Sequence, residues 1–298
     1  MPVKKIIIGT RGSPLAMAQS KIMIGALKKK FPHIKLSLKK IVTKGDGLKN
    51  WPPALEDKGF FVKDIEEALA SGKCDIAVHS IKDMPVDLHP GLEITAIPKR
   101  ENAQDVLLSK DNTMLEGLKE GAVIGTSSIR RRAQLLHWKK SLVTRELRGN
   151  VDTRIKKLRA GEYDAIVLAA AGVVRIGLGH LITQFIPFEI LLPAPGQGAI
   201  ALETRSNDSE VKAIVKTLDD YDARACVTAE RAVLKSLGGG CQVPISAYCC
   251  IKEKKLLLKA SITSVDGEKM VFLEKSGEIS DPVLLGERIA RDLTDGEN

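Results

Sequence analysis

The same plan of strand and helix occurs twice along this 298-residue chain. In each occurrence a short apolar strand ends in Gly-Thr and a helix begins soon after, once at Gly9-Thr10 and once at Gly125-Thr126. Because strands that alternate with helices form mostly parallel sheets covered by helices, the repeat predicts two similar α/β lobes that face a hinged cleft. Four further positions match at a constant offset of 89 residues: Leu69, Gly72, Asp75 and Val78 against Leu158, Gly161, Asp164 and Val167.

Prolines and glycines mark where the chain crosses between the predicted lobes. One crossing is expected near 97–100, and a second near 192–196, where two prolines and a glycine interrupt regular structure. Two crossings predict that the chain returns to the first lobe. The expected organisation is a first α/β lobe over 1–98 and 197–219, a second over 99–196, and a small α+β domain over 220–298.

Shorter patterns predict individual elements. A strand at 6–8, a helix from Pro14 to about Lys30 and strands at 36–42 and 75–78 are expected in the first lobe. In the third domain we expect a helix over 224–237, strands at about 243–251, 255–263 and 269–277, and a closing helix at about 281–293.

The apolar segments and the cysteines argue against a membrane-spanning, secreted, disulfide-rich or zinc-binding protein. No apolar run approaches the length that crosses a bilayer, and the apolar N-terminal stretch is too short for a signal peptide, so we expect a cytoplasmic protein. The five cysteines are odd in number and form no C-x-x-C pair, which argues against a disulfide scaffold and a structural zinc site.

Positive charge is concentrated between Arg130 and Arg159, where eleven Lys or Arg residues stand against two acids. This excess indicates a polyanionic partner, either nucleic acid or a small molecule with many carboxylates or phosphates. The stretch contains only one aromatic residue, Trp138, and no zinc-finger or RNP motif, so a nucleic-acid partner is disfavoured.

A cysteine on a glycine-rich turn is the strongest local signal. Three glycines, 238–240, end a predicted helix and Cys241 follows them. Glycines let a bulky group approach the backbone, so Cys241 could be a thiolate nucleophile or an attachment point. A helix C-cap followed by a buried cysteine is the alternative.

A polar segment follows the buried strand at 75–78. Ligands of open parallel sheets bind beyond the carboxyl ends of strands, and His79 to Asp83 occupy that position. Lys82 offers an anion contact and Asp83 a carboxylate, although a solvated loop with a local ion pair would show the same pattern. His79 is expected to be a hydrogen-bonded loop residue, and no set of metal ligands is visible.

Several arginines lie at predicted helix starts or after strands, where helix N–H groups and the macrodipole favour anions. Their forked guanidinium groups bind carboxylates with two hydrogen bonds. These arginines are Arg11, Arg130, Arg131, Arg148, Arg154 and Arg175. Other basic residues of the same stretch are expected to lie on solvated helix faces: Arg132, Lys139, Lys140, Lys156, Lys157 and Arg159.

These motifs together resemble the hydroxymethylbilane synthase (porphobilinogen deaminase) family, over nearly the whole chain. The resemblance is carried, in order, by the segments at 9–16, 79–85, 125–131, 147–150, 193–198 and 230–244. It implies two periplasmic-binding-protein-like lobes with a small third domain. It also implies stepwise deaminative condensation of porphobilinogen on a dipyrromethane cofactor, with release of hydroxymethylbilane.

The resemblance also implies roles for residues. Cys241 would hold the cofactor through a thioether, and Asp83 would hold pyrrole N–H groups, assist proton transfer and stabilise the cation left when ammonia departs. Lys82 and the six arginines above would bind carboxylates. Ser13, Gln19 and Ser128 would add hydrogen bonds, and Lys58 and Phe61 would belong to a lid, although Phe61 could equally be a core residue.

Two segments depart from the family pattern. Glu56-Asp57 stands where two glycines are frequent before Lys58-Gly59, and Asn102 to Gln104 lacks a frequent Pro-Arg. Lid mobility and hinge stiffness are therefore not carried over. A non-enzymatic two-lobed sensor of carboxylates and a cysteine hydrolase are the alternative functions. The sensor has no need for Cys241 on a glycine turn, and the hydrolase requires a histidine near Cys241, for which the sequence supplies no obvious candidate. A monomer without nucleic-acid or membrane partners is expected.

Overall fold

The computed structural model describes residues 5–43, 60–239 and 243–295. Its first part alternates strands and helices up to residue 96. The elements are β1 (Lys5–Thr10), α1 (Pro14–Lys30), β2 (Lys35–Lys40), α2 (Phe60–Ala70), β3 (Ile76–Ser80) and β4 (Leu92–Ala96).

The middle part repeats this alternation and ends in a short strand. Its elements are β5 (Asp105–Ser109), β6 (Val123–Gly125), α3 (Ile129–Trp138), β7 (Val143–Arg145), α4 (Val151–Arg159), β8 (Ala165–Ala169), α5 (Ala170–Arg175) and β9 (Gln184–Phe185).

The last part opens with one strand and two helices and ends in a meander closed by a helix. Its elements are β10 (Ile200–Arg205), α6 (Ser209–Lys216), α7 (Tyr221–Ser236), β11 (Ile245–Lys252), β12 (Lys255–Thr263), β13 (Met270–Gly277) and α8 (Pro282–Asp295).

The chain divides into two compact units. The first comprises the described residues of Met1–Arg100 and Ala199–Arg224, and the second those of Glu101–Gly198 and Ala225–Asn298. The first unit holds a five-stranded sheet in the order β2-β1-β3-β10-β4, so the chain returns to it with β10. The second unit holds a sheet in the order β7-β6-β8-β5-β9 and a separate antiparallel sheet, β11-β12-β13.

The two five-stranded sheets share one topology, as the repeated sequence plan predicts. In each, the first three strands pair in parallel, and the fourth, β10 or β5, pairs antiparallel with both of its neighbours. The α/β fold class with an additional small sheet is therefore confirmed. The reversed direction of the fourth strand was not predicted. Neither β10 nor β5 is joined to a neighbouring strand of its sheet by a crossover helix, which is the connection that keeps consecutive strands parallel.

Local chemistry explains where the first helix begins and ends. The Ser13 hydroxyl caps α1 by accepting the N–H of Ala16 at 3.3 Å, and Pro14 occupies the first turn. Three lysines lie in the last turn, where positive charge interacts favourably with the negative end of the helix dipole. The helix spans Pro14–Lys30, which confirms the predicted bounds. The strand predicted over 36–42 ends at Lys40, because β2 is an edge strand and its pairing with β1 stops where Thr10 faces Lys40.

Aliphatic residues of the strands form the core of each unit. Ile6, Ile8, Ile76 and Leu202 are buried under α1 and α6 in the first unit, and Leu107, Ile124 and Val167 occupy matching positions in the second. Within the described ranges, no helix combines the length and apolar character that crossing a membrane requires.

Candidate active site

A pocket of about 80 Å³ in the first unit brings together four of the residues that the sequence singled out. Two further polar residues of the pocket, His79 and Ser80, were not predicted as site residues. The predicted residues that line it are Arg11, Ser13, Gln19 and Asp83. This cavity is called the Asp83 pocket below.

The sheet order explains why these residues meet. Strands β1 and β3 are parallel neighbours, so their carboxyl ends lie at the same edge of the sheet. Arg11 follows β1 and Ser13 caps the next helix, while a single 3-10 turn, Ile81–Asp83, follows β3 directly. We call Ile81–Asp83 the Asp83 turn. Lys82 belongs to it as a half-buried residue but is not among the residues that line the pocket.

Both residues that precede the Asp83 turn are held by side chains from other elements. Gln19, which is buried on α1, donates from Nε2 to the Ser80 hydroxyl at 2.9 Å. His79 Nε2 lies 3.1 Å from Glu203 Oε2 on β10, and both side chains are buried. His79 is therefore hydrogen-bonded, as predicted, but it is a strand residue and not a loop residue, because pairing with β10 extends β3 to Ser80.

The walls of the Asp83 pocket are apolar. Leu15, Val62, Ile65 and Val78 contribute apolar side chains to the lining, and Arg11 and Asp83 contribute a guanidinium group and a carboxylate. A flat heterocycle fits such walls, the carboxylate can accept a ring N–H, and the guanidinium can bind an acidic substituent. The residues present thus fit a pyrrole that carries carboxylates.

Two of the predicted arginines in the second unit form a buried ion-pair cluster with Asp105. Arg130 Nη2 lies 2.7 Å from Asp105 Oδ2, and Arg131 donates from Nε and Nη2 to Oδ1 at 3.0 and 2.7 Å. The Asp105 side chain is 0% exposed. Burial by itself would raise the pKa of this carboxyl, but the two guanidinium groups outweigh it and lower the pKa to about 2.

The same cluster includes Gln197 from the predicted 193–198 motif. Its Nε2 donates to Asp105 Oδ1 at 3.0 Å and to the Ala103 carbonyl at 2.7 Å. Arg131 also donates to the Val167 carbonyl at 3.1 Å. Much of the donor capacity of the two arginines is thus directed into the protein, and a ligand would meet only their remaining N–H groups.

The remaining predicted residues of the second unit lie nearer its surface. Arg148 pairs with Glu146, and Arg154 donates from Nε to the Gly149 carbonyl at 2.7 Å. Arg175 donates to the Gly198 carbonyl at 2.7 Å, and burial lowers the pKa of its guanidinium. Ser128 caps α3 by accepting the N–H of Arg131 at 3.4 Å.

The predicted attachment cysteine lies outside the described residues, as does Lys58, and Phe61 is described only as a backbone position in α2. The helix before Cys241 ends at Ser236, and Gly238 and Gly239 follow with φ of 81° and 64°. These values confirm a glycine C-cap there, because left-handed backbone favours glycine.

The described cysteines are free thiols. Cys249 is buried in β11, and Cys250 on the same strand is half-buried. Among the residues whose placement the structure gives, no cluster of three His, Cys, Asp or Glu side chains could hold a metal ion.

Comparison with known proteins finds two matching family models. One, described as "Porphobilinogen deaminase, dipyromethane cofactor binding domain", matches residues 6–213, and the other, "Porphobilinogen deaminase, C-terminal domain", matches residues 224–295.

Individual relatives match over nearly their full length. Porphobilinogen deaminase of Brevibacillus brevis is 46% identical over 288 residues, 96% of this chain and 93% of the relative. That of Roseiflexus castenholzii is 45% identical over 291 residues, 97% of this chain and 96% of the relative. Among solved structures, the periplasmic aliphatic sulphonate binding protein SsuA of Escherichia coli overlaps with a TM-score of 0.42 at 14% identity, covering 78% of this chain and 70% of that one.

Proposed function

Because the chain belongs to the porphobilinogen deaminase family, we propose that Asp83 is its catalytic carboxylate and Cys241 the residue that holds its dipyrromethane cofactor. The family membership makes the protein a transferase that acts on porphobilinogen and uses a dipyrromethane cofactor. A non-enzymatic sensor of carboxylates is not favoured, since both family models and the similar relatives are those of an enzyme.

The observation that carries the role of Asp83 is that Asp83 and Arg11 both line one pocket together with apolar residues. An Asp83 Oδ atom can accept the pyrrole N–H of the substrate while Arg11 binds an acetate or propionate group. When ammonia leaves, the pyrrole ring becomes cationic and faces this carboxylate. At about 4 Å and an effective dielectric near 20, that contact is worth roughly 4 kcal/mol, and much less in open water.

The same carboxylate can also move protons. The substrate's amino group must leave as ammonia, and the pyrrole carbon that forms the new bond must lose its proton. Asp83 would take up that proton, a role supported by its position in the Asp83 turn and in the lining of the pocket. Apolar side chains of the lining would reduce the access of water to the cation, which water could otherwise trap as an alcohol.

Attachment through Cys241 is balanced by loss of two ammonia molecules. The thiol sulfur would bond to the methylene of the first porphobilinogen, whose free ring carbon would bond to the methylene of the second, and each bond formed releases ammonia. When bound, the cofactor supplies the free pyrrole carbon to which substrate units are joined. Glycines have no side chain and let a bulky group approach the backbone, so the three glycines that precede Cys241 in the sequence suit an attachment point.

We propose that Lys82 and the six arginines bind carboxylates. The arginines differ in how much of each side chain a ligand can reach. Arg11 is in the Asp83 pocket, and Arg148, Arg154 and Arg175 keep part of their side chains exposed. Arg130 and Arg131 would bind through the N–H groups that Asp105 leaves available.

Several sequence-based predictions stay predictions. They are hydrogen bonds to ligand from Ser13, Gln19 and Ser128, the lid role of Lys58 and Phe61, the thioether, the cytoplasmic location, the monomeric state, the absence of nucleic-acid and membrane partners, and the domain bounds.

The Asp83→Asn variant tests the proposed role of the carboxylate. It should release ammonia from porphobilinogen at least about 100-fold more slowly than the wild type, because general acid–base groups contribute about that much or more. Asp87→Asn is the matched control, an exposed aspartate four residues further along the same loop that does not line the pocket. If Asp83→Asn kept a rate within a few-fold of the control, Asp83 would not be the catalytic carboxylate.

A further inference from the structure

A buried histidine–glutamate pair lies directly beneath the Asp83 pocket, outside the residues that the proposed reaction uses. His79 lines the pocket next to Ser80, and its Nε2 contacts Glu203 Oε2 at 3.1 Å. The two side chains are 3% and 0% exposed. A pair this deeply buried gives up most of its hydration, so it adds little to stability compared with apolar residues of the same size.

The strand pairing shows how Glu203 reaches His79. In the antiparallel pair of β3 and β10, Ala201 faces His79 and Glu203 faces Ala77, so Glu203 and His79 are diagonal neighbours on one face of the sheet. On its other side, the pairing of β10 with β4 shifts register between Leu202 and Glu203. Irregularities of this kind bend a strand and redirect a side chain, and they occur often beside active sites.

The same strand also fixes the backbone of the Asp83 turn. The Ile81 N–H donates to the Ala199 carbonyl at 3.1 Å, one residue before β10 begins. Strand β10 pairs with β3 up to Ser80 and also contacts His79 through Glu203, while Ala199, just before β10, accepts the Ile81 N–H. Gln19 of α1 holds Ser80. The residues immediately before Asp83 are thus held by the strand pairing and by three further contacts.

Glu66 on α2 completes the surroundings of the pair. Its carboxyl is buried, and burial together with the neighbouring Glu203 raises its pKa, whereas His79 and His89 oppose this rise. Two adjacent buried carboxyl groups do not both ionise readily. Glu66 therefore adds a third buried polar group beside His79 and Glu203, and its carboxyl disfavours the charged form. One oxygen of each carboxyl has no hydrogen-bond partner within the described ranges.

We propose that Glu203 is a positioning residue that acts through His79 to hold the Asp83 turn, and so sets where the catalytic carboxylate meets the pyrrole ring. The inference rests on the proposed role of Asp83. Glu203 does not line the pocket, and its side chain is 0% exposed, so we infer that it acts through His79, which lines the pocket, and through the strand end that leads into the turn. Small displacements of a catalytic group reduce rate strongly, so a buried pair can act on catalysis without touching substrate.

The test compares Glu203→Gln with the matched control Glu93→Gln. Glu93 lies on β4, beside β10 in the same sheet, but its carboxylate pairs with Lys212 and is 39% exposed. Glu203→Gln should lower kcat for porphobilinogen by on the order of tenfold, with KM within about twofold and with the wild-type content of bound dipyrromethane. Glu93→Gln should leave all three unchanged.

A second comparison separates positioning from a loss of structure. In an Asp83→Asn background, Glu203→Gln should have no further effect on kcat, because there is no carboxylate left to position. An undiminished tenfold loss in that background, or an unchanged kcat in the single variant, would overturn the inference. If Glu203→Gln does not fold, His79→Asn carries the same expectations, since the shorter amide does not reach Glu203.

The failure of this inference is distinguishable from failure of the proposed function. If Asp83→Asn retains wild-type turnover, the role of Asp83 itself is wrong. If Asp83→Asn loses turnover but neither Glu203→Gln nor His79→Asn does, only the positioning role is wrong.

Discussion

Replacing Asp105 with asparagine, which removes a buried carboxylate, should strongly destabilise the protein. In Asp105→Asn, the two guanidinium groups of Arg130 and Arg131 stay buried but lose the carboxylate to which they donate three hydrogen bonds. Gln197 would then face an amide in place of a pure acceptor. The change keeps the shape of the side chain, so the effect is electrostatic and not a cavity.

Two estimates of the lost stability can be compared, one from the pKa of Asp105 and one from buried ion pairs in general. A pKa lowered from 3.8 to about 2 corresponds to about 2 kcal/mol in favour of the charged carboxyl. Breaking a buried ion pair by removing one partner costs about 3–5 kcal/mol, because it also leaves uncompensated charge behind. The first figure counts only the preference of Asp105 for its charged form, so the second is the better expectation at pH 7.

Urea unfolding of the wild type, Asp105→Asn and Asp111→Asn measures this effect. Asp111 is an exposed aspartate in the turn that follows the same strand, so it controls for the charge change. We expect Asp105→Asn to lose about 3–5 kcal/mol at pH 7 and Asp111→Asn to stay within about 0.5 kcal/mol of the wild type.

The pH dependence has a definite sign. The folded pKa of Asp105 lies below its unfolded value, so its contribution is complete above pH 3.8 and disappears as pH falls through about 2. The gap between wild type and Asp105→Asn should therefore be constant from pH 7 to 5 and shrink in acid. A loss below about 1 kcal/mol at pH 7 would refute the reasoning, as would a gap at pH 2 as large as the gap at pH 7, because protonation of Asp105 should remove about 2 kcal/mol of it.

Two further predictions concern stability. Burial raises the pKa of Glu66 above its unfolded value of 4.5, so ionisation disfavours the folded state as pH rises; Glu66→Gln should therefore raise Tm more at pH 8 than at pH 4. The exposed neighbour Glu67 is the control as Glu67→Gln, and equal shifts of Tm at both pH values would contradict the expectation. Gly198 has φ of +87°, and an added Cβ would lie 2.5 Å from the Glu101 carbonyl oxygen, whereas Gly121 has φ of +76° with open space around it. Thermal unfolding should show Gly121→Ala losing about 1–2 kcal/mol and Gly198→Ala clearly more, and similar losses would mean that the close approach at Gly198 is unimportant.

Much of the fold follows from local sequence. The Gly-Thr strand ends and the helices that follow them predict two similar α/β lobes, because the same local pattern occurs in each half. The reversed strands β5 and β10 were not predictable in direction. An apolar run such as the one at 105–109 indicates burial, but the neighbour with which it pairs is decided by distant parts of the chain.

The Asp83 pocket was partly predictable for a geometric reason. Arg11 and Asp83 follow strands that the βαβ pattern makes parallel neighbours, so their meeting follows from the pattern. Asp105 and Glu203 were missed because their partners lie 25 or more residues away along the chain. The available signal was an acidic residue in an otherwise apolar strand, since such a charge must find a partner when the strand is buried.

The mass of the intact, denatured protein tests the central claim most directly. After incubation with porphobilinogen, the wild type should carry the added mass of two porphobilinogen units less two ammonia molecules, and Cys241→Ser should carry none. Cys250→Ser, which changes a half-buried thiol in β11, should load like the wild type. An unmodified wild type after incubation, or a Cys241→Ser variant that gains the same mass, would contradict the account of a cysteine-bound dipyrromethane on this chain.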